Sequence, residues 1–200
     1  IFEILSYPLI KHLAERNKLE IEISSEQTVY PDFTLYTDKN SKKKIAIDVK
    51  SAYRKGINRP FGFTLGSYTS FLRNNTKNIL YPYDQYCGHW IIGFIYDRSY
   101  QSSRAVDEVK LSERNKLKPP YKNVNFFVQE KYKIAGERPG SGNTANIGSI
   151  LSADINDFKL GRGPFATLRE TVFRDYWANY GRTISRPYKN LEQYYKWKKN

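Results

Sequence analysis

Alternating apolar and polar positions predict two strands early in the chain. Residues 44–50 alternate, so the β-branched side chains share one face of a strand while Asp48 and Lys50 share the other. Residues 32–36 form a second predicted strand, and the polar segment between the two is typical of a turn. We therefore expect a hairpin that brings Asp32 close to Asp48 and Lys50.

The rest of the pattern mixes strands with helices. Further strands are predicted at 19–23, 89–96 and 124–129, and helices at 104–114, 165–179 and 189–198. The first residues also predict a helix, with Pro8 expected to kink or break it. The apolar stripe of that helix consists of Ile1, Leu5, Leu9 and Leu13. Early strands with interspersed helices predict an α/β or α+β fold.

The expected hairpin places two carboxylates and one ammonium together. Mg²⁺ prefers oxygen ligands and often takes one or two carboxylates besides substrate phosphate oxygens, a role that suits Asp32 and Asp48. Lys50 is suited to stabilise charge on a phosphate or to lower the pKa of an attacking water. A surface ion pair explains the same residues, and the acid-any-Lys triplet recurs at 108–110 and 157–159. Metal-assisted phosphodiester hydrolysis and a structural ion pair both stay open on this pattern alone.

The charge of the chain indicates a polyanionic partner. Its 200 residues carry 33 Lys and Arg against 20 Asp and Glu, a formal charge of +13. We expect a single domain over residues 1–200, with 181–200 as a basic C-terminal arm in which aromatic residues are interleaved with Lys and Arg. A solvated helix face explains that arm equally well.

Cysteine content and hydropathy bear on the compartment. Cys87 is the single cysteine, which excludes an internal disulfide and a multi-thiolate zinc site and fits a reducing cytoplasm. No apolar run approaches the ~20 residues that span a bilayer. We expect a cytoplasmic protein without membrane contact. Because the sequence has no Met and opens on Ile1, we also expect that an N-terminal segment is missing.

A glycine-rich segment at residues 138–146 is a candidate for reading DNA bases. Asn can pair with adenine, Thr methyl groups contact thymine, and glycine permits close backbone approach. A surface turn is the simpler explanation of such a segment. It is not a Walker loop, because no Gly-Lys-Ser/Thr follows, and we expect no nucleotide cofactor.

Seven segments of the chain match the pattern of a known family. They are residues 1–3, 30–36, 44–50, 63–66, 73–79, 89–93 and 140–144. Together they resemble the EcoRV family of type II restriction endonucleases, within the PD-(D/E)xK nuclease superfamily. The resemblance implies a restriction-endonuclease-like fold, which is an α/β (mixed α+β) domain with a central mixed β-sheet flanked by helices.

The resemblance implies a role for each residue of the candidate catalytic site. Asp32 and Asp48 would hold Mg²⁺, and Lys50 would assist the attacking water. Glu3, which the spacing of the chain does not single out, would be an auxiliary acid of the metal site and belong with Asp32 and Asp48 to its metal residues.

The resemblance also implies the contacts with double-stranded DNA. The residues implied to read bases are Gly140, Gly142, Asn143 and Thr144 in the major groove, with Asn143 on adenine, and Gln27 near the minor groove. The residues implied to lie near the phosphate backbone are Ser51, Tyr53, Ser70 and Lys77. The protein would be a bacterial homodimer, with one subunit on each half of a palindrome.

The implied activity is Mg²⁺-dependent hydrolysis of both DNA strands, with GATATC and a blunt central cut as the expected specificity. The products would carry 5′-phosphate and 3′-hydroxyl ends. Ala52 and Ala145 stand where the family pattern has threonine, and Glu26 is an unexpected acid in the minor-groove loop.

Two alternatives remain beside this activity. One is a structure-selective or repair nuclease on the same scaffold, against which the segment 140–146 argues. The other is a sequence-specific DNA-binding protein that does not cut, for which loss of Asp32, Asp48 or Lys50 would be the expected sign.

Overall fold

The computed structural model describes residues 1–24, 26, 28–56, 58–99, 110–116, 119–140, 143–182 and 188–199, with Asn143 and Thr144 described by their backbone only. The strands are β1 (Glu20–Ile23), β2 (Phe33–Tyr36), β3 (Lys44–Tyr53), β4 (Thr64–Ser67), β5 (Tyr86–Arg98), β6 (Tyr121–Glu130), β7 (Ala135–Gly140) and β8 (Asn143–Ser149). The α-helices are α1 (Phe2–Arg16), α2 (Lys131–Ile134), α3 (Ile155–Lys159), α4 (Glu170–Asn179) and α5 (Leu191–Lys199). Shorter helical turns occupy Tyr68–Leu72, Tyr83–Gln85 and Leu111–Lys116.

A five-stranded mixed sheet forms the centre of the fold, in the order β1-β2-β3-β5-β6. Strands β3 and β5 run parallel, whereas the other neighbouring pairs run antiparallel. The strands predicted at 19–23, 89–96 and 124–129 are confirmed as β1, β5 and β6. With α1 and the C-terminal helices around this sheet, the predicted mixed α/β class is also confirmed.

The predicted hairpin is present as β2 and β3. Phe33 lies opposite Ile47 and Leu35 opposite Ile45. The β-branched face of β3 packs with Ile10 of α1, while the opposite face carries Asp48. Alternation therefore predicted the two faces of β3 correctly, because α1 covers one side of the sheet and leaves the other for a different layer.

That second layer contains a three-stranded sheet and the C-terminal helices. The small sheet has the order β4-β8-β7. Its Leu65 and Ile147 share one core with Ile91 of the central sheet and with Phe158 and Trp177 of the C-terminal helices. Aromatic side chains supply much of this core, which accounts for the high tyrosine content of the chain.

Helix α1 differs from its prediction in two ways. It runs from Phe2 to Arg16 with Pro8 inside it, so a break at Pro8 is wrong. The leucine stripe is not the buried face: Leu5 and Leu9 are exposed, whereas Ile10 and Ala14 are buried. Packing of the alternate face against β3 and β5 outweighs the local pattern, because tertiary contacts supply most of the stability of a helix.

The C-terminal half follows its predictions more loosely. Helix α4 begins at Glu170 and not at residue 165, because the preceding turns insert Phe165 into the core. Helix α5 confirms the predicted helix at 189–198. Of the helix predicted at 104–114, residues 104–109 lie outside the described residues, and Leu111–Lys116 forms a 3-10 helix.

The arm predicted at 181–200 is partly integrated into the core. Tyr188 and Tyr194 are buried, and the Tyr188 hydroxyl donates a 2.6 Å hydrogen bond to the Tyr176 carbonyl oxygen. Its basic residues remain on the surface, as Lys196 and Lys198 show. Within the described residues, no helix combines the length and the apolar character needed to cross a bilayer.

Candidate active site

Asp32 is fixed across the hairpin by a backbone hydrogen bond. It directly precedes β2, and its Oδ2 accepts a 2.6 Å hydrogen bond from the backbone N–H of Val49 in β3. The carboxylate therefore has a defined position relative to the neighbours of Val49 in the strand, Asp48 and Lys50. The approach of the three residues that the sequence predicted is present in the structure.

Asp48 and Lys50 lie on the same face of β3 and form an ion pair. Lys50 Nζ is 2.6 Å from Asp48 Oδ2, and Asp48 is only 3% exposed. At this separation the ammonium and the carboxylate form a close ion pair. Asp48 Oδ2 is therefore a buried oxygen whose charged neighbour is the Lys50 ammonium.

Burial and the neighbouring charges shift the pKa values of Asp32 and Lys50. Burial and the negative charge of Asp48 raise the pKa of Asp32 to about 7, although Lys50 and the Val49 N–H oppose the rise. Burial lowers the pKa of Lys50, but Asp48 and Asp32 outweigh it and leave that pKa above its ordinary value. At neutral pH Lys50 is therefore a cation, while Asp32 is divided between its protonated and its ionised form.

The carboxylate pair has the chemistry of a divalent-cation site. Two neighbouring aspartates, of which Asp48 is buried, match the oxygen ligands of Mg²⁺, which completes its shell with water and substrate. Across the described residues, no group of three or more His, Cys, Asp or Glu side chains is placed to hold a metal ion. The assignment of Asp32 and Asp48 as metal ligands therefore stays a prediction.

Glu3 lies near this pair without joining it. Its charge contributes to the raised pKa of both Asp32 and Lys50. The side chain is exposed and, with Val49 and Ser51, lines a cleft of about 190 Å³. The structure therefore brings Glu3 within electrostatic range of the aspartates, and its role as auxiliary acid stays a prediction.

The predicted base-reading segment lies at the tip of the β7–β8 hairpin. Gly140 and Asn143 are paired at its end, and the backbone of Thr144 follows in β8. A Cβ atom on Gly140 would be 2.8 Å from Thr64 Cγ2, so glycine suits the close packing there. Gly142 and Gln27 lie outside the described residues.

The residues predicted near the phosphate backbone occupy two regions. Ser51 is exposed on β3, and the Tyr53 ring is covered by the Arg98 guanidinium at 3.8 Å. Ser70 is buried, and its hydroxyl donates a 2.9 Å hydrogen bond to the backbone carbonyl of the exposed Lys77. Ser70 therefore lies inside the protein, and its hydrogen bond holds the segment that carries Lys77 on the surface.

An aromatic pocket next to Asp48 was not predicted. The Tyr30 hydroxyl is 2.8 Å from His89 Nδ1, and Lys131 is completely buried close by. Long-range packing creates this pocket, so no local pattern in the sequence indicates it.

A mixed sheet that carries two aspartates and a lysine on one hairpin is typical of metal-dependent endonucleases, and comparison with known proteins assigns the chain within that class. The model of the family described as "Restriction endonuclease EcoRV" matches residues 1–199. "Type II restriction enzyme EcoRV" of Escherichia coli is 47% identical, over 98% of this chain and 80% of that protein. The chain belongs to the EcoRV restriction endonuclease family and is a type II restriction endonuclease.

A solved structure, "NlaIV restriction endonuclease", is similar to this chain with 13% identity and a TM-score of 0.39, covering 94% of this chain and 77% of that one. The family assignment confirms the resemblance drawn from the seven sequence segments and favours the restriction enzyme over both alternatives.

Proposed function

We propose that this restriction endonuclease uses Mg²⁺ to hydrolyse both strands of GATATC at the centre of the site. The observation that carries the proposal is the fixed approach of Asp32 to Asp48 and Lys50, held by the Val49 N–H. The 47% identity to EcoRV supports the same specificity. The products would have blunt ends with 5′-phosphate and 3′-hydroxyl groups.

The site residues divide the chemistry between them. Asp32 and Asp48 would hold Mg²⁺, which supplies positive charge to the reacting phosphate when bound. Lys50 would orient the attacking water and stabilise charge on the phosphate, while water attacks the phosphorus and the 3′ oxygen leaves. Glu3 would act as an auxiliary acid at the edge of the site. No nucleotide cofactor takes part in this proposal.

Specificity would come from the hairpin tip and a second loop. Gly140, Gly142, Asn143 and Thr144 would read bases in the major groove, with Asn143 on adenine, and Gln27 would approach the minor groove. The formal charge of +13 supports binding to the DNA backbone.

Contacts with the phosphates would hold the duplex without reading it. Ser51, Tyr53 and Lys77 would lie close to the phosphates, with Ser70 supporting the segment of Lys77. These contacts would position the scissile bond over Asp32 and Asp48.

A homodimer in the bacterial cytoplasm completes the proposal. A palindromic site presents the same surface twice, which a two-fold symmetric dimer matches. Two apolar rows support an interface: Leu5 and Leu9 on α1, and Val124, Phe126 and Val128 on β6, all exposed. Exposed apolar rows of this kind mark interaction surfaces.

A plasmid with one GATATC site tests the activity. We expect a single blunt cut in Mg²⁺ and none in EDTA, with the position read by sequencing both ends. Asp48→Ala should abolish the cut, whereas Asp38→Ala in the exposed turn of the same hairpin should retain it. Cleavage by Asp48→Ala at the wild-type rate would contradict the metal site, and a cut at another defined sequence would contradict the specificity alone.

A further inference from the structure

Lys131, the first residue of the one-turn helix α2, is a buried cation without a hydrogen-bond acceptor. Its side chain is 0% exposed, and within the described residues Nζ has no hydrogen-bond partner. Three aromatic rings surround it, with Nζ at 4.4 Å from the Tyr30 centroid, 4.7 Å from Phe71 and 5.9 Å from Tyr83. Rings offset part of the desolvation cost of an ammonium, but a buried charge without an acceptor remains costly.

This aromatic cage lies on the face of the central sheet that carries Asp48. Ala46 packs in one cluster with Tyr30, Phe71 and Tyr83, and side chains at positions 46 and 48 of a strand point to the same side. The cage is therefore the neighbour of Asp48 along β3. Tyr30 also precedes Asp32 by two residues in the chain.

Other charged and titratable groups face Lys131 from each surrounding element. They are Asp48 and Lys50 on β3, His89 on β5, Tyr30 before β2, Tyr83 in the 3-10 turn, and Glu170 and Arg174 on α4. Burial, with Lys131 and Arg174 adding to it, lowers the pKa of His89, so that ring is neutral at physiological pH.

Among these groups, Asp48 acts most strongly on Lys131. Burial lowers the pKa of Lys131 to about 7, and the main opposing influence is the negative charge of Asp48, ahead of Glu170. A protonated Lys131 and an ionised Asp48 therefore favour each other. By reciprocity, a cation that neutralises Asp48 disfavours the proton on Lys131.

We propose that Lys131 is a positioning residue of the metal site, where its ammonium adds to that of Lys50 in balancing the charge of the aspartates in the absence of metal and loses its proton when a divalent cation binds there. The inference rests on the proposed metal site at Asp32 and Asp48. The N–H bonding pair stays on Nζ as the amine lone pair, and the proton passes to the solvent buffer. A neutral amine is well accommodated by the aromatic cage, whereas an ammonium next to a bound divalent cation is repelled.

Binding of Mn²⁺ without DNA tests the coupling, with free ion counted by electron paramagnetic resonance. If the bound ion excludes the proton, wild type binds Mn²⁺ more weakly than Lys131→Met by a factor of about ten at pH 6 and about one at pH 8, given the pKa of about 7. The proton on Asp32 is common to both proteins. Lys133→Met, on the same helix but with its lysine in a surface ion pair with Glu130, should match wild type at both pH values.

The outcomes separate this inference from the proposed function. Equal or weaker binding by Lys131→Met at pH 6, relative to wild type, would overturn the coupling and leave a packing role. Wild-type Mn²⁺ affinity in Asp48→Asn would overturn the metal site itself.

A measurement on the unaltered protein covers the case in which Lys131→Met does not fold. In wild type labelled with ¹³C at lysine Cε, one lysine signal should titrate near neutral pH, well below the ordinary lysine range. Addition of Mg²⁺ should move that midpoint to lower pH. A midpoint that does not move with Mg²⁺, or the absence of a lysine titrating near neutral pH, would overturn the proposal.

Discussion

Asp32 is expected to destabilise the metal-free protein at neutral pH, and Asp32→Asn should reveal this. Burial and Asp48 raise the pKa of Asp32 from 3.8 to about 7. Between these values the folded state holds a proton that the unfolded state has lost, so stability falls as pH rises through this range. Each tenfold change in proton affinity is worth about 1.4 kcal/mol, which sets an upper bound of about 4 kcal/mol. Partial exposure and coupling to Asp48 reduce our expectation to about 2 kcal/mol.

The assay is urea unfolding in EDTA at about pH 4 and pH 8. Asn can keep the hydrogen bond from the Val49 N–H, so the substitution removes the charge and retains the contact. We expect Asp32→Asn to be about 2 kcal/mol more stable than wild type at pH 8 and nearly equal to it at pH 4. Asp38→Asn is the matched control, because Asp38 also accepts a backbone hydrogen bond, from Asn40, but lies exposed in the turn. A variant less stable than wild type at pH 8, or a difference independent of pH, would refute the reasoning.

Three further substitutions probe the chemistry, the DNA contacts and the hairpin tip. Lys50→Met should lower the single-turnover cleavage rate by at least about 10³-fold, because the charge of Lys50 acts on the reacting phosphate. Sequence-specific DNA binding in Ca²⁺ should persist. Loss of binding in a gel-shift assay would argue for a structural ion pair instead. Ser70→Ala removes the hydrogen bond to the Lys77 carbonyl and should lower the free energy of unfolding by about 1 kcal/mol. We also expect weaker DNA binding at low salt. Unchanged binding would contradict the idea that Ser70 holds the segment of Lys77 in place for the DNA. Gly140→Ala places a Cβ 2.8 Å from Thr64 Cγ2, so cleavage at GATATC should fall while non-specific DNA affinity is retained; normal cleavage would show that the hairpin tip adjusts at little cost.

The β2–β3 hairpin was predictable from the sequence, and much of its surroundings was not. Alternation over residues 44–50 determines which side chains share a face, so the approach of Asp48 to Lys50 needs only local information. The hydrogen bond from Val49 to Asp32 depends on the pairing of two strands, and the pattern indicates that pairing only in outline. Recognition of the family added Glu3, whose place on a helix near the site has no signal in the spacing of the chain.

Predictions failed where distant parts of the chain decide the outcome. In α1, Phe2 stacks on Phe94 of β5, so the face of the helix that carries Phe2 packs against the sheet. The leucine stripe, although it is the more regular pattern in the sequence, stays exposed. Lys131 shows no local sign of burial, because the rings that enclose it come from segments about 50 to 100 residues away. A lysine is normally predicted to be exposed, and only the assembled fold shows otherwise.

The bond between the Val49 N–H and Asp32 makes the two strands and the turn unequal in their tolerance of length changes. One residue inserted into β3 ahead of Asp48 would turn that carboxylate toward α1 and separate it from Asp32, because successive strand residues face opposite sides. The exposed turn between β2 and β3 carries no such constraint, and added residues there cost little. A peptide tag or a reporter attachment site placed in this turn should therefore leave the enzyme competent, whereas an insertion in the strands on either side should abolish cleavage.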